Sequence, residues 1–274
     1  MFREILQNVA QSTPLVHNIT NYVTVNDCAN IILASGGSPI MADDISEVED
    51  ITSICSSLVI NIGTLNERTI KSMIKAGRKA NELGHPVVLD PVGAGASKLR
   101  NETIMTLMKE VKFAVIRGNI SEIKFVAGGS GMAKGVDAAE GDAVNADNLA
   151  EVIQLAQNLS KDTDAVIAIT GAVDIVADSS SAYVIKNGHP LMSKVTGTGC
   201  MLSTVIGSYV GANYESLLDA TACAVSAMGI CGELAYDKLR VVEGGTSTYR
   251  ALIIDFMSKL NGELFERCAK IEVR

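Results

Sequence analysis

The sequence predicts an α/β fold, with a mainly parallel central sheet and helices on both faces. Short apolar runs alternate with helical segments of about a dozen residues through most of the chain, which is typical of βαβ units. Of the 274 residues, 47% are hydrophobic and 20% are charged, enough for a sizeable core. Because neither a linker nor an internal repeat divides the chain, we expect a single domain over residues 1–274.

Strands and helices alternate regularly over the first half of the chain. Thr20 or Asn21 is suited to cap the second helix. Asp44 and Glu47 have the spacing of a capping box for a helix that ends at residue 54, and Gly84 is placed to end the next helix. The predicted strands are 14–19, 38–41, 57–62, 86–89 and 113–116, and the other predicted helices are 2–11, 22–34, 66–83, 99–109 and 120–127.

The second half of the chain adds a hairpin and three long helices. Residues 128–141 are rich in glycine and small side chains, so we expect a surface loop there. Asp147 is suited to cap a helix that ends at 159. Asp178-Ser179-Ser180 separates two strand-like runs and predicts a hairpin. The predicted strands are 165–169, 173–176 and 182–185, an extended stretch is expected over 181–195, and the helices are 201–211, 215–239 and 246–260.

Charge and cysteine content argue against several classes of protein. The net charge is −8 and no basic cluster offsets it, so we expect no nucleic-acid partner. The N-terminus lacks the pattern of a signal peptide, and no run of about 18 uncharged apolar residues predicts a membrane span. The six cysteines have neither Cys-x-x-Cys spacing nor metal-ligand spacing with the three histidines. We therefore expect a cytoplasmic protein with free thiols and no membrane contact.

A glycine pair precedes the first of the three long helices. Gly197 and Gly199, with Thr198 between them, let the backbone approach a ligand closely. The free N–H groups at the start of the following helix suit a phosphate. Cys200 falls in the first helical turn, where we expect its thiol pKa to fall. The alternative is a plain strand-to-helix turn that contains a buried cysteine.

The residues at the predicted strand ends have one consistent chemistry. In open α/β sheets, ligands bind beyond the carboxyl ends of the strands. Asp90 and Glu122 offer the oxygen ligands that Mg²⁺ takes directly or through water. Arg117 can pair with phosphate oxygens, and Thr170 offers a hydroxyl at a tight turn. With the amides of the glycine turn, these residues supply a metal site, a cation and an anion hole, the parts of a phosphoryl-transfer site.

Each of these residues also has a purely structural explanation. Asp90 precedes a proline and suits a turn, and Glu122 has capping-box spacing with Asn119. Arg117 could be an ordinary surface cation, and Met41, at another strand end, a core residue. Their joint placement at strand ends favours the functional interpretation. The chain has neither a Gly-x-x-x-x-Gly-Lys-Ser/Thr motif nor a Gly-x-Ser-x-Gly elbow, which excludes a Walker-type site and disfavours an esterase.

Six stretches form a specific combination of motifs. They are Pro14-Leu-Val-His-Asn-Ile-Thr-Asn-Tyr-Val-Thr-Val-Asn-Asp27, Gly36-Gly-Ser-Pro-Ile-Met-Ala42, Asn61-Ile-Gly-Thr64, Leu89-Asp-Pro-Val-Gly93, Ile116-Arg-Gly-Asn-Ile-Ser-Glu122 and Val195-Thr-Gly-Thr-Gly-Cys200. With them, the chain from about residue 14 to about residue 260 resembles the hydroxyethylthiazole kinases. Asn119-x-x-Glu122 is also similar to the Asn-x-x-Glu motif of the wider ribokinase-like superfamily. The main departure from the family is the glycine-rich segment 128–141.

The resemblance implies a ribokinase-like fold and transfer of the ATP γ-phosphate to the hydroxyl of 4-methyl-5-(2-hydroxyethyl)thiazole, a step of thiamine salvage. It also implies a homotrimer whose neighbouring subunits share active sites. By position in the matching motifs, the resemblance implies that Met41 and Gly197 contact the thiazole, with Asn21 and Val23 near it. It implies that Arg117, Asn119 and Thr170 contact ATP and that Asp90 and Glu122 organise Mg²⁺. The amides of Gly197, Thr198, Gly199 and Cys200 are then expected to form an anion hole.

Cys200 takes the place at which most ribokinase-like sugar kinases carry an aspartate base. A loose phosphoryl-transfer transition state gains most from positioning and charge stabilisation, so no strong base is required. Our hypothesis is that Cys200 acts as a weak proton acceptor or as a positioning group.

Three rival functions remain. They are a hydrate dehydratase of the same superfamily, a non-catalytic binding protein, and a thiol hydrolase or transferase that uses Cys200 with His17, His85 or His189 as base. The order of the N-terminal motifs disfavours the dehydratase. The intact carboxylates and arginine disfavour the non-catalytic binding protein, and the lack of a histidine motif disfavours the thiol enzyme.

Overall fold

The computed structural model describes residues 1–128, 144 and 148–274, and nine strands of this part form one sheet. They are β1 (Leu15–Ile19), β2 (Ser38–Met41), β3 (Ser57–Asn61), β4 (Val87–Asp90), β5 (Val115–Asn119), β6 (Val166–Thr170), β7 (Asp174–Ala177), β8 (Ala182–Ile185) and β9 (Ile271–Val273). Their order across the sheet is β2-β1-β3-β4-β5-β6-β7-β8-β9. The strands from β2 to β6 pair in parallel, and β7, β8 and β9 continue the sheet in antiparallel pairs.

Helices connect the parallel strands and follow the hairpin. They are α1 (Phe2–Ser12), α2 (Val25–Ser35), α3 (Val48–Ile54), α4 (Glu67–Leu83), α5 (Lys98–Glu110), α6 (Ile120–Gly128), α7 (Leu149–Thr163), α8 (Thr198–Ala212), α9 (Leu217–Val242), α10 (Thr246–Met257) and α11 (Gly262–Cys268).

Both faces of the sheet are buried. Along β3, Val59 packs into one apolar cluster while Leu58 and Ile60 pack into another, because successive side chains of a strand point to opposite faces. The cluster around Val59 includes buried residues of α1, α2, α8, α9 and α10, and the other includes buried residues of α4, α5, α6 and α7. Helices on both faces of a mainly parallel sheet confirm the predicted fold class.

The second helix begins later than predicted. We expected a helix over 22–34 with Thr20 or Asn21 as its cap, but α2 begins at Val25 and its N-cap is Thr24. Asn21 Oδ1 instead accepts hydrogen bonds from the Thr24 N–H (3.1 Å) and hydroxyl (3.0 Å). Residues 21–24 therefore form a turn beyond β1, which leaves the Asn21 amide group free to face the strand ends.

The predicted capping box of Asp44 and Glu47 is wrong. Glu47 is the N-cap of α3 and makes no side-chain cap hydrogen bond. Asp44 Oδ1 accepts from the N–H (2.9 Å) and hydroxyl (2.5 Å) of Ser46, so the carboxylate closes a local turn before the helix.

The expected extended stretch over 181–195 is also wrong. Strand β8 ends at Ile185, and a 3₁₀ helix over Pro190–Lys194 precedes the glycine turn. Helix α11 and strand β9 near the C-terminus were not predicted, since both are short and carry little periodic signal. The surface loop was expected over 128–141, but Gly128 is the last residue of α6. The rest of that segment and the cap expected at Asp147 lie outside the described residues.

One helix of the described chain is long and apolar enough to cross a membrane by length and composition. It spans Tyr214–Val242, a 3₁₀ turn over Tyr214–Ser216 followed by α9, and it is mostly buried inside the fold, so it is weak evidence for a membrane span. The six cysteines are free thiols, as predicted, and four of them are buried.

Candidate active site

A continuous line of polar side chains crosses the carboxyl ends of five neighbouring parallel strands. Asn21 follows β1, and its Nδ2 donates to Oδ1 of Asn61 at the end of β3 (3.0 Å). Asn61 Nδ2 donates to Oδ2 of Asp90 at the end of β4 (2.7 Å). Arg117 of β5 lies 3.6 Å from Asp90 Oδ1 and donates to the hydroxyl of Thr170 at the end of β6 (2.5 Å). We refer to these residues as the strand-end line.

Asp90 lies at the centre of the strand-end line and is fully buried. Its Oδ2 accepts from Asn61 and from the Ser203 hydroxyl of α8 (2.8 Å), whereas Oδ1 has no hydrogen-bond partner among the described residues. Burial raises the pKa of this carboxyl, and the Arg117 charge and the two hydrogen bonds oppose that rise. One buried carboxylate oxygen is therefore left beside a cation and aimed at the site.

Glu122 is held at the start of α6 by backbone groups. Its Oε2 accepts from the Asn119 N–H (2.8 Å) while Asn119 Oδ1 accepts from the Glu122 N–H (2.9 Å), so the capping box exists. Oε1 accepts from the Gly93 N–H (2.9 Å) in the turn after Asp90. Burial and the nearby Asp90 charge raise the pKa of Glu122. The capping contacts fix the carboxylate beside Asp90, so the structural and functional interpretations are compatible.

Arg117 is not a surface cation, since only 11% of its side chain is exposed. A Cβ on Gly199 would lie 2.5 Å from Arg117 Nη1, so any other residue at this position would push the guanidinium out of its observed place. Arg117 Nε is buried without a hydrogen-bond partner among the described residues. The guanidinium thus joins the strand-end line to the N-terminus of α8.

Gly197 caps α8 in the left-handed conformation, with φ +84°. A Cβ there would collide with Thr24 Cγ2, so both the φ angle and the contact demand glycine. The first intrahelical bond to Gly197 comes from Met201 (2.8 Å). In the described part of the chain, no acceptor is found for the N–H groups of the three intervening residues, Thr198, Gly199 and Cys200. They are the free donors that an anion site requires.

The expected fall of the Cys200 thiol pKa is wrong. Cys200 lies in the first turn of α8, but burial and the Asp90 charge raise its pKa, and the hydrogen bonds that lower it only partly oppose them. Its sulfur lies 3.2 Å from Asn21 Nδ2, which donates to it. The thiol is therefore protonated near neutral pH and is joined to the strand-end line through Asn21.

A cavity of about 490 Å³ opens beside Arg117. Thr170 and Gly199 also line it, and on another side it meets the loop after β8 and helix α9. His189 in that loop stacks on Tyr236, with ring centroids 3.6 Å apart. The described lining residues are Arg117, Asn119, Thr170, Gly171, Ala172, Asp174, Asn187, Gly188, His189, Pro190, Met192, Ser193, Thr198, Gly199, Leu202, Val225, Met228 and Gly229.

Met41 and Val23 lie on the opposite side of the strand-end line from this cavity. Met41 ends β2, the strand next to β1 at the sheet edge, and is only partly buried. Val23 lies in the turn between β1 and α2 and is 58% exposed. His17 of β1 binds the carbonyl of Ala42 (2.9 Å) and the hydroxyl of Thr52 (2.9 Å), which anchors the segment after Met41.

Sequence reasoning missed residues that organise the site from outside the predicted set. Asn61 and Ser203 orient Asp90, and Thr24 packs against Gly197. Arg100 of α5 donates to the carbonyls of Ile62 (2.8 Å), Gly63 (2.7 Å) and Val92, which joins the turns after β3 and β4. Asn61 ends an apolar strand and could have been found by that signal, whereas Ser203, Thr24 and Arg100 have none.

The thiol-enzyme rival finds no support in the described residues. His17 is bonded to Ala42 and Thr52, His189 stacks on Tyr236, and neither these nor His85 is hydrogen-bonded to Cys200. A protonated thiol without an adjacent base is not an activated nucleophile.

Comparison with known proteins gives consistent results along nearly the whole chain. The model of the hydroxyethylthiazole kinase family matches residues 6–263. A hydroxyethylthiazole kinase of Clostridium acetobutylicum is 61% identical over 272 residues, which cover 99% of each chain. The solved structure of hydroxyethylthiazole kinase protein from Pyrococcus horikoshii OT3 has a TM-score of 0.88 and 36% identity, covering 100% of this chain and 98% of that one.

A more distant likeness concerns the fold alone. A ribokinase-like superfamily protein from Enterococcus faecalis V583 is 10% identical, with a TM-score of 0.62 over 93% of this chain and 88% of that one. The fold is thus ribokinase-like, as the resemblance implied. Since the similarity in sequence and in fold extends over almost all of its length, this chain belongs to the hydroxyethylthiazole kinase family.

Proposed function

We propose that this chain transfers the γ-phosphate of ATP to the hydroxyl of 4-methyl-5-(2-hydroxyethyl)thiazole, as a salvage step toward thiamine. Membership of the kinase family supports the reaction class. The observation that carries the proposal is the strand-end line, which runs from the Asn21 amide, bonded to the Cys200 thiol, through the buried carboxylate of Asp90 to Arg117 and Thr170 in the cavity.

The cavity is the proposed ATP site. Arg117 and Thr170 contact the phosphates, since a guanidinium and a hydroxyl are both suited to phosphate oxygens. Asn119 lines the same cavity and completes this polar side. The loop after β8 and the apolar side chains of Val225 and Met228 offer a surface for the base.

Asp90 and Glu122 fit a magnesium ion held chiefly by the nucleotide. The described residues contain no group of three or more His, Cys, Asp or Glu side chains that could hold a metal alone. Mg²⁺ needs no such group when one or two carboxylates and substrate phosphates share it. Asp90 Oδ1, buried without a hydrogen-bond partner among the described residues, would coordinate the ion or accept a hydrogen bond from one of its waters, and Glu122 would act through water. When bound, the ion would offset negative charge on the phosphates.

The N-terminus of α8 is the proposed anion hole. The amides of Thr198, Gly199 and Cys200, following Gly197, face a transferring phosphoryl group and stabilise its charge. The Cys200 thiol positions the substrate hydroxyl. It accepts the hydroxyl proton only in the fraction of molecules in which it has first lost its own, and its raised pKa makes that thiolate scarce, so it is at most a weak acceptor. Asn21 orients the thiol from the other side.

The thiazole is proposed to bind between the strand-end line and β2. Met41 and Gly197 contact it, and Asn21 and Val23 lie near it. Support comes from the Thr24–Gly197 contact, which places the turn after β1 against the start of α8. His17 fixes the backbone just after Met41, so the strand end is held in place without occupying the site.

This substrate side is open in a single chain, which supports a homotrimer with shared active sites. Val23 and its neighbour Tyr22 are 58% and 79% exposed, and β2 forms an edge of the sheet. A neighbouring copy that covers this edge would enclose the thiazole. We also propose that the chain is one domain built on one sheet and works in the cytoplasm.

ADP release tests the proposal. The protein is incubated with Mg-ATP, with and without the thiazole alcohol, and pyridoxal and hydroxymethylpyrimidine serve as competing alcohols. Magnesium-dependent stimulation by the thiazole alone is the expected result. If another alcohol stimulates ADP release, the proposed substrate is wrong and the kinase reaction stands. If no alcohol stimulates ADP release by the folded protein, the kinase proposal is rejected.

A further inference from the structure

One carboxylate in the cavity has no role in the reaction proposed above. Asp174 begins β7 and is the only Asp or Glu among the described residues that line the cavity. Its Oδ1 accepts from the Gly171 N–H (2.8 Å), and no partner is found for Oδ2 among the described residues. An ionised carboxylate only accepts hydrogen bonds, so this oxygen is available to accept from a donor group of a ligand in the cavity.

Asp174 lies between the phosphate side of the cavity and its apolar side. Strand β7 pairs with β6, which ends at Thr170, and with β8, where Asp174 lies opposite Ile185. The segment after β8 carries Asn187 and His189 to the cavity. All three strands therefore bring lining residues to one edge of the sheet, and Asp174 occupies the middle position.

Asn187 also lines the cavity and is another polar side chain that could bind the nucleotide there, but its hydrogen-bonding groups are already occupied. Its Oδ1 accepts from the Ser226 hydroxyl (3.0 Å) and the Lys270 N–H (2.8 Å), and its Nδ2 donates to the Cys268 carbonyl (2.9 Å). The chemistry of ATP limits which of its groups can donate to Asp174. Its phosphates accept only, so its donors are the two ribose hydroxyls and the amino group of the base. In ATP the ribose lies between the phosphates and the base. In the cavity Asp174 likewise lies between the polar side proposed for the phosphates and the apolar side proposed for the base.

We propose that Asp174 recognises the nucleotide ribose by accepting a hydrogen bond from its 2′- or 3′-hydroxyl, so that the site selects nucleotides that carry this hydroxyl. The inference rests on the proposed use of ATP. Carboxylates at the ends of sheet strands recognise ribose hydroxyls in the same way in dinucleotide-binding folds. Burial raises the pKa of Asp174 to about 7, so the carboxylate is mostly ionised at pH 8.

Binding measurements at pH 8 test this contact independently of turnover. Kd is measured by calorimetry for Mg-ATP, its 2′-deoxy and 3′-deoxy analogues, and purine riboside triphosphate, which lacks the amino group. We expect one deoxy analogue to bind the unmodified chain about tenfold more weakly than ATP. In Asp174→Ala, ATP and that analogue should bind alike, because a disturbed turn at Gly171 weakens both equally and cancels in the ratio.

Two further variants make the result decisive. Asp174→Asn keeps an acceptor for the Gly171 N–H and is expected to reduce the same ratio. Asp178→Ala removes a carboxylate that binds the N–H groups of Ser180 (2.8 Å) and Ser181 (2.7 Å) in the hairpin, away from the lining residues, and should leave it unchanged. An unchanged ratio in both Asp174 variants, or a change confined to the purine analogue, would overturn the inference. Tight ATP binding without phosphorylation of the thiazole would reject the proposed function and leave the Kd ratios intact.

Discussion

At the scale of single residues, Cys200 shows how burial can override position on a helix. The first turn of α8 favours a thiolate, yet the low-dielectric surroundings and the Asp90 charge favour the thiol. The carboxylate that serves the proposed phosphoryl transfer therefore also keeps the cysteine protonated. This arrangement suits a positioning group and protects the site from oxidation of a thiolate.

Alkylation measures this directly. We expect iodoacetamide to modify Cys200 slowly at pH 7.5, with Cys268, the other partly exposed cysteine, as the internal reference in a mass-spectrometric time course. Cys200→Asp should retain part of the kinase activity if the residue accepts a proton weakly or positions the substrate. Rapid alkylation of Cys200, or complete loss of activity in a folded Cys200→Asp protein, would contradict this role.

Asp174 gives the stability of the free protein a pH dependence whose sign can be stated. Its pKa is about 7 in the fold, against 3.8 for an ordinary aspartate. Between these values the folded state holds a proton that the unfolded state has lost, so the contribution of Asp174 to stability falls as pH rises. Asparagine does not titrate. We expect the Tm of Asp174→Asn, relative to the unmodified chain, to increase from pH 5 to pH 8, and a flat difference would contradict the raised pKa.

At the scale of elements, the start of α8 depends on two features of Gly197 that can be separated. Gly84, the C-cap of α4, has a similar φ of +73° but open space where a Cβ would lie, whereas a Cβ at Gly197 would collide with Thr24. We expect Gly84→Ala to cost about 1–2 kcal/mol in the free energy of unfolding from backbone strain alone. Gly197→Ala should cost roughly a further 1–3 kcal/mol and reduce kinase activity.

A double variant identifies the clash as the cause. Thr24→Ser removes the methyl group that a Cβ at 197 would meet and keeps the hydroxyl that donates to Asn21. Combined with Gly197→Ala, it should restore part of the lost stability in urea unfolding. Equal costs at 84 and 197, or no restoration, would show that the contact with Thr24 is unimportant.

The strand ends were predictable because each polar residue follows an apolar run that fills a parallel strand. Asp90, Arg117 and Thr170 therefore fell on one edge of the sheet from the pattern alone. The contacts that hold them were not predictable. Asn61 and Ser203 meet Asp90 across 29 and 113 residues of sequence, and neither residue has a local pattern that indicates its partner. The direction of the Cys200 pKa depended on such contacts and on burial, so it was predicted wrongly.

At the scale of the whole molecule, the open side proposed for the thiazole predicts assembly. Tyr22 is exposed there and β2 leaves one edge of the sheet uncovered, so we expect a neighbouring chain to complete the proposed site. Light scattering coupled to gel filtration should give a mass of three chains of 28.8 kDa each. A fully active monomer would contradict the proposal that neighbouring subunits share active sites.

The two ends of the strand-end line also organise the molecule as a whole. The cavity proposed for the nucleotide lies toward β6, β7 and β8, and the side proposed for the thiazole lies toward β1 and β2. Asp90, at the end of β4, lies between them beside the N-terminus of α8. The γ-phosphoryl group must therefore pass from the proposed nucleotide side to the proposed thiazole side next to Asp90.

Transfer of labelled γ-phosphate from ATP to the thiazole alcohol tests that claim most directly. We compare the unmodified chain with Asp90→Asn and with Asp44→Asn, an exposed carboxylate in a local turn, after circular dichroism has shown each protein to be folded. The account predicts labelled thiazole phosphate from the unmodified chain and from Asp44→Asn, and at least about a hundredfold less from Asp90→Asn. Undiminished transfer by folded Asp90→Asn, or no transfer by the unmodified chain, would contradict it.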